Sequence, residues 1–289
     1  MNDWIRKSRG QTGEQLKVRQ KQGVTYLSFP ALEALEMVSH GFSTRLGGVS
    51  EGIYSTMNFT FTRGDDPEHV MENYRRMAQV LDADLGRMVL SYQTHTANVR
   101  VVTEADAGKG IVRERDYRDV DGLVTNVPGI TLVTFYADCV PLYLADPVHR
   151  AIGLSHSGWR GTVNRMGAET LKVMKEAFGT NPEDTICCIG PSICQDCFEV
   201  GEEVAEAFGK AFADQYHREL FYRKENGKYQ LDLWRANQII FAEAGVKPEN
   251  IHTTDICTHC NPDLLFSHRT AGNKRGNLAA FLKLNETRL

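Results

Sequence analysis

Three short polar segments carry residue types that bind metals: Gln93-Thr94-His95-Thr96, Ala137-Asp138-Cys139-Val140-Pro141 and Ser155-His156-Ser157-Gly158-Trp159-Arg160-Gly161. Each follows or ends an apolar, strand-like run, and strand ends are where a sheet presents side chains from distant parts of a chain to one cleft. Two imidazoles and one thiolate make a complete catalytic zinc set, with the fourth position left to water or substrate. Zinc held there would bring the pKa of bound water from about 15.7 to about 7, giving hydroxide at neutral pH. Spacing leaves other readings open. The gaps of 44 and 17 residues match no compact zinc signature. A lone Cys at a strand end is commonly a small buried hydrophobe, and a lone His commonly satisfies a local hydrogen bond. A third reading makes Cys139 a thiolate nucleophile with His156 or His95 as base, a metal-free cysteine hydrolase. Two histidines around one cysteine exceed what a dyad requires, which favours the metal.

Gly158 and Gly161 flank Trp159 and Arg160, and a helix is expected at once. Free backbone N–H groups and the helix dipole would favour an anion there, which Arg160 could grip as a fork. A second Gly-rich turn, GFSTRLGGVS over Gly41 to Ser50, carries Arg45. A non-catalytic interaction module would leave Arg45, Arg160 and the three ligands without a shared task. The pairs Cys194/Cys197 and Cys257/Cys260 suggest a four-cysteine zinc, but the 59 intervening residues (198–256) far exceed the roughly 15 to 20 of a zinc ribbon. They read as free thiols in two separate turns.

The elements that must position these residues are visible as periodicity. Asp65 and Asp66 before Pro67 form a helix start, and Val70, Tyr74, Met77 and Leu81 follow on one face. A second helix is expected from near Thr162, with Met166, Thr170, Val173 and Ala177 on one face and a stop at Gly179. A third runs from Asp232 as N-cap to Gly245. Buried strands are expected at Met88 to Tyr92, Val99 to Val102, Ile130 to Tyr136, Ala151 to Leu154 and Thr185 to Ile189. Mixed in this way, they predict an α/β (α+β) chain.

With 33 basic and 37 acidic residues interspersed and a net charge of −4, the 289-residue chain does not present a nucleic-acid-binding surface. The longest apolar runs are about half the ~20 residues of a membrane span, and MNDWIRKSRG lacks a hydrophobic signal core. An odd count of seven cysteines in a chain of this size points to a reducing cytoplasm and to thiol or metal chemistry. One domain over 1–289 is expected, with 1–22 loosely ordered, as a monomer or homodimer.

The order GFSTRLGGVS, YSTMN, QTHTANV, DGLVT, ADCVPLYLAD, SHSGWRGT, IGPSICQDCFEVG and CTHCNPDLLFSHR resembles the YfiH family, also named laccase-domain or multicopper polyphenol oxidase proteins. The resemblance covers roughly 41–281. It implies a single compact αββα-layered domain of the type shared with cytotoxic necrotizing factor toxins. It implies a zinc-dependent purine nucleoside enzyme that phosphorolyses adenosine, inosine, guanosine and S-methyl-5′-thioadenosine and deaminates adenosine to inosine. The family's metal ligands fall on His95, Cys139 and His156. In this scheme Arg45 and Arg160 would hold phosphate, Asp138 or Glu199 would move protons, and Arg269 or Arg275 would be late phosphate contacts. The family's usual Thr-Gly-Arg turn is replaced here by Arg275-Gly276-Asn277. The oxidase label fails on counting: with His95 and His156 in one site, the other seven of nine histidines form no His-x-His pair. Copper suits a His₂Cys site and could enter adventitiously, but no oxygen-reducing cluster can be assembled.

Overall fold

Strict alternation of side chains along the strands builds the molecule. In the computed structural model, which describes residues 3–7 and 15–286, strand Leu278–Leu284 sends Leu278, Ala280, Leu282 and Leu284 to one face and Ala279 and Phe281 to the other. Both sets are buried, so both faces of this strand must be covered. The neighbouring strand Thr131–Tyr136 behaves alike, with Leu132 and Tyr136 on the first face and Val133 on the second. Strand Val140–Asp146 divides Tyr143 and Ala145 from Val140, Leu142 and Leu144.

Two six-stranded sheets result. The first runs in space Lys17–Lys21, Val24–Ser28, Val38–Ser43, Leu278–Leu284, Thr131–Tyr136, Met88–Leu90. The second runs Ile251–Thr253, Ile186–Ile189, Val140–Asp146, Ala151–Ser157, Gly122–Thr125, Val99–Val101. They pack face to face over Phe42, Leu132, Tyr143 and Leu154. Helices cover the outer faces, giving the four-layer order helix, sheet, sheet, helix. Helix Pro67–Leu81 lays Val70, Tyr74, Met77 and Leu81 against Phe59 and Phe281 of the first layer. Helices Met166–Phe178, Glu202–Ala211 and Leu233–Glu243 cover the second. A small sheet of Glu199–Val200, Tyr229–Leu231 and Phe221–Arg223 lies beside them. No described helix is long and apolar enough to cross a membrane.

The first and third expected helices form with the expected caps: Asp66 accepts from the Glu68 amide and Asp232 from the Arg235 amide. The second does not run through. It forms as Trp159–Val163 and Met166–Phe178, interrupted by Arg165 in the left-handed conformation at φ 61°. The N-terminal expectation of loose order is corrected at both of its described ends. Lys17–Lys21 pairs with Val24–Ser28, and the Ile5 amide donates to Asn261 while the Lys7 amide donates to Asp255. Residues 1–2 and 8–14 of that expectation lie outside the described residues.

Between the sheets, His40 is buried at 6% exposure against Tyr143 and accepts a 2.8 Å hydrogen bond from the Phe29 amide, a role open only to the neutral ring. Burial pushes its pKa from 6.5 down to about 4, against the weaker pull of Glu33. A histidine depressed in this way contributes its full stability above pH ~6.5 and loses it as pH falls through about 4. By this linkage, lowering the pH from 7 to 4.5 removes about 2–3 kcal/mol through His40. Urea unfolding at both pH values should show a correspondingly smaller drop in His40→Gln than in the wild type. Equal drops would remove His40 as the acid-labile group.

Candidate metal centre

The inter-sheet core ends where the second sheet presents its strand ends, and the three candidate metal ligands meet there. Antiparallel pairing of Val140–Asp146 with Ala151–Ser157 sets Val140 opposite Ser157 and Pro141 opposite His156. Cys139 therefore arrives beside His156. His95 comes from the turn after Met88–Leu90, with its backbone in the left-handed region at φ 66°. Asp138, just before Cys139, is left-handed too, at φ 86°. Neither is glycine, and such backbones persist only where surroundings over-determine them.

One carboxylate supplies that determination at His95. Asp121 is fully buried and accepts from the amides of Thr94, His95 and Thr96 at 3.0, 3.1 and 3.0 Å and from the Thr96 hydroxyl at 2.9 Å. It also bonds Nδ1 of His156 at 2.8 Å, which leaves Nε2 for the cleft. Burial alone would raise its pKa, but His156 and these donors hold it below the usual carboxylate range. Burial opposes charge on Cys139 as well. His156 and His95 outweigh it and bring the thiol to about 6, while Cys139 and Asp121 raise His156 to about 9 against its own burial.

The potential ligand atoms of His95, Cys139 and His156 lie within 4.8 Å of one another, and their burial grades from exposed His95 to buried His156. Gly158 lies directly beside them. A Cβ there would come 3.0 Å from the Cys139 sulfur and 3.1 Å from the His95 ring. A donor set of two imidazoles and one thiolate, pinned from behind and kept clear of a neighbouring methyl, fits one metal ion with a side open to the cleft.

The cleft in front encloses about 520 Å³. Aromatic walls come from Phe61, Tyr92, Phe135 and Tyr136, and Arg63, Arg115 and Arg275 line it with Asn277. Arg275 is 7% exposed, and its Nε has no hydrogen-bond partner among the described residues. Burial, with the nearby Arg63 charge, lowers its pKa to about 10. Asp138 and Cys139 act in the opposite sense, and the two neighbouring guanidinium groups favour an anion in the cleft.

The polar residues expected to serve the site are placed otherwise. Arg45 donates to the carbonyls of Ser55 and Pro262 and covers the Phe266 ring, so it clamps a loop. Arg160 is exposed and stacks at 4.2 Å on Trp159, and its helix is only five residues long. Glu199 pairs with Lys224 and Lys228. Arg269 donates to the carbonyls of Cys197 and Glu199. Asp138 accepts from the Thr258 hydroxyl and the Arg269 amide, both at 2.6 Å, fixing the loop that carries Cys139. None of the five lines the cleft. Conversely, Asp121, Arg63 and Arg115 escaped the sequence reading, although Asp121 opens the quoted motif DGLVT. The two turns that carry the cysteine pairs come together, so that Cys194, Cys197, Cys257 and Cys260 meet in one cluster.

A family model described as multi-copper polyphenol oxidoreductase laccase matches residues 39–285. The chain belongs to this family, the YfiH family. Its YfiH-family relatives include a purine nucleoside phosphorylase of Bacteroides thetaiotaomicron, 37% identical over 261 residues that cover 90% of this chain and 96% of the relative. Adenosine deaminase RL5, from an unknown prokaryotic organism, is 37% identical over 238 residues, covering 81% and 90%. The crystal structure of YlmD from Geobacillus stearothermophilus superposes with a TM-score of 0.86 at 30% identity, covering 95% of this chain and 100% of that one. The YfiH family thus brings named enzymes to the same fold. Among the described residues, only two groups of potential metal ligands form, and no histidine beyond His95 and His156 joins either.

Replacing Asp121 by Asn removes the charge that orients His156. Losing such a partner lowers metal affinity about 10- to 100-fold. Chelator competition on wild type and Asp121→Asn should show that drop, and equal affinities would assign Asp121 to folding alone.

Proposed function

We propose that this chain is a zinc-dependent purine nucleoside enzyme, using His95, Cys139 and His156 as metal ligands. It cleaves nucleosides such as adenosine, inosine, guanosine and S-methyl-5′-thioadenosine with phosphate and deaminates adenosine to inosine. The observation that carries this reading is the single cleft in which the ligand triad, aromatic walls and three arginines converge. The names of the relatives support both branches.

Zinc, when bound, supplies Lewis acidity and a water of lowered pKa. The chain supplies the rest. Phe61, Tyr92 and Phe135 offer apolar faces for a purine. Tyr92 is itself braced by the Arg115 guanidinium, 4.8 Å from its centroid, and Gln93 is fixed by two hydrogen bonds to the Phe135 backbone. Arg63, Arg115 and Arg275 draw in phosphate and hold it beside the ribose. In phosphorolysis a phosphate oxygen bonds to C1′ as the C1′–N9 bond breaks, and the purine leaves with the electron pair and takes up a proton. In deamination the oxygen of water adds at C6 and ammonia departs with its bonding pair and a proton. No Asp or Glu lines the cleft among the described residues, so protons are passed by water or by phosphate itself. The seven free cysteines support a reducing compartment such as the cytoplasm.

The chain of contacts from Asp121 through His156 to Cys139 favours a second reading, a metal-free cysteine hydrolase. Metal content by plasma mass spectrometry decides between them. Zinc in the wild type, lost at this site in Cys139→Ala, is expected. A metal-free wild type that leaves adenosine untouched overturns the first reading. Chromatography of adenosine should show adenine only when phosphate is present, and inosine in either case. Arg275→Met removes a charge-assisted phosphate contact worth about 1.5–3 kcal/mol and raises the phosphate KM roughly 10- to 100-fold. Equal losses in phosphorolysis and deamination would overturn the phosphate role of Arg275.

A further inference from the structure

Two C-x-x-C hooks meet on the far side of the Asp138 loop. Strands Ile186–Ile189 and Ile251–Thr253 are parallel neighbours, with Cys187 opposite Ile251 and Ile189 opposite Thr253. The alignment continues past both strands, where Ser192 bridges Cys257 in parallel. Each strand is therefore followed, at the same end of the sheet, by its own hook: Cys194 with Cys197, and Cys257 with Cys260. Parallel pairing with a long crossover explains why the sequence gap, too wide for a zinc ribbon, does not separate them in space.

All four sulfurs lie within 4.8 Å of one another, and Cys197 and Cys260 are 3.5 Å apart. That is far beyond the roughly 2.05 Å of a disulfide. It is close to the ~3.8 Å between sulfurs on a tetrahedron with Zn–S bonds of about 2.3 Å. A backbone amide points at the sulfurs: the Cys194 N–H donates to the Cys257 sulfur at 3.3 Å. Such donors stabilise thiolates rather than thiols. Lys7, anchored to Asp196 at 3.1 Å, adds positive charge beside the sulfurs of Cys194 and Cys260. Two of the four cysteines are buried and two half-buried, so the cluster is shielded yet reachable by an ion.

We propose that Cys194, Cys197, Cys257 and Cys260 form a second metal site, a closed tetrathiolate that binds zinc in a structural role. Four protein ligands leave no position for water or substrate, so the site does no chemistry. It ties the two hooks together and, with them, the loop that presents Cys139. Ile193 donates to the Asp138 carbonyl, Thr258 to the Asp138 carboxylate, and Arg269 to the Cys197 carbonyl.

The test separates this site from the catalytic one. Plasma mass spectrometry on protein purified with reductant and without chelator should find one more zinc per chain in the wild type than in Cys197→Ser/Cys260→Ser. Cys139→Ala should keep that ion. Should the double variant fail to fold, Co²⁺ added to metal-stripped Cys139→Ala gives an independent reading. Intense thiolate-to-cobalt charge transfer with tetrahedral d–d bands is expected. No cobalt bands in Cys139→Ala overturns the proposal, as does an unreduced intact mass lowered by the hydrogens of a Cys197–Cys260 or Cys194–Cys257 disulfide.

Discussion

The Asp121 carboxylate is fully enclosed, and a charge in that position is sustained only because donors surround it. An unpaired buried ion costs several kcal/mol, so each donor must stay where it is. Those donors are the amides of Thr94, His95 and Thr96 and the ring of His156, which means that one residue couples the geometry of two ligand-bearing segments. The Asp121 backbone adds to this, its carbonyl accepting from the His156 amide and its own amide donating to Asn98. Asp138 acts in the same way on the third segment. Its carboxylate gathers Thr258 and Arg269, and its carbonyl gathers Ile193. The geometry of His95, Cys139 and His156 therefore rests on two acidic residues, neither of which lines the cleft.

The position of the centre follows from the pleat. Leu154 and His156 share a face of strand Ala151–Ser157, and Leu154 belongs to the core between the sheets. His156 occupies the same face where that core runs out. Tyr136, arriving from the first sheet, closes the gap with its ring 5.6 Å from His156. Core packing and site geometry are thus one arrangement, with His156 packed into the core and the cleft before it open.

Much of this was legible in the sequence, for identifiable reasons. His95, Cys139 and His156 each sit where an apolar run turns polar, a signal that depends on residue order alone. Helix Pro67–Leu81 was readable because its cap, its proline and its stripe agree. Arginine roles were not readable. Arg45 in a Gly-rich turn and Arg160 beside glycines look like anion contacts, yet one is spent on two carbonyls and the other stacks in solvent. Arg275, which does reach the cleft, lies in a turn where the family pattern is altered. Asp121 before Gly122 reads as an ordinary turn, because nothing local announces donors from 25 to 35 residues away. The second helix was overextended because its apolar stripe continues through Arg165, whereas the backbone does not.

The four cysteines show the same limit from the other side. Ligand spacing along a chain predicts a metal site only where the ligands lie on adjacent hairpins. When strands are parallel, the connection must cross over, and its length carries no information about the distance between the ends. Here the intervening 59 residues build the small sheet and helices Glu202–Ala211 and Leu233–Glu243, then return the chain to the same edge. That path delivers Cys257 beside Cys194 and Thr258 to Asp138 in consecutive residues. The cysteine cluster and Thr258, which holds the Asp138 carboxylate beside Cys139, are therefore joined by a single peptide bond, so any movement of the Cys257 hook bears directly on the loop that carries Cys139.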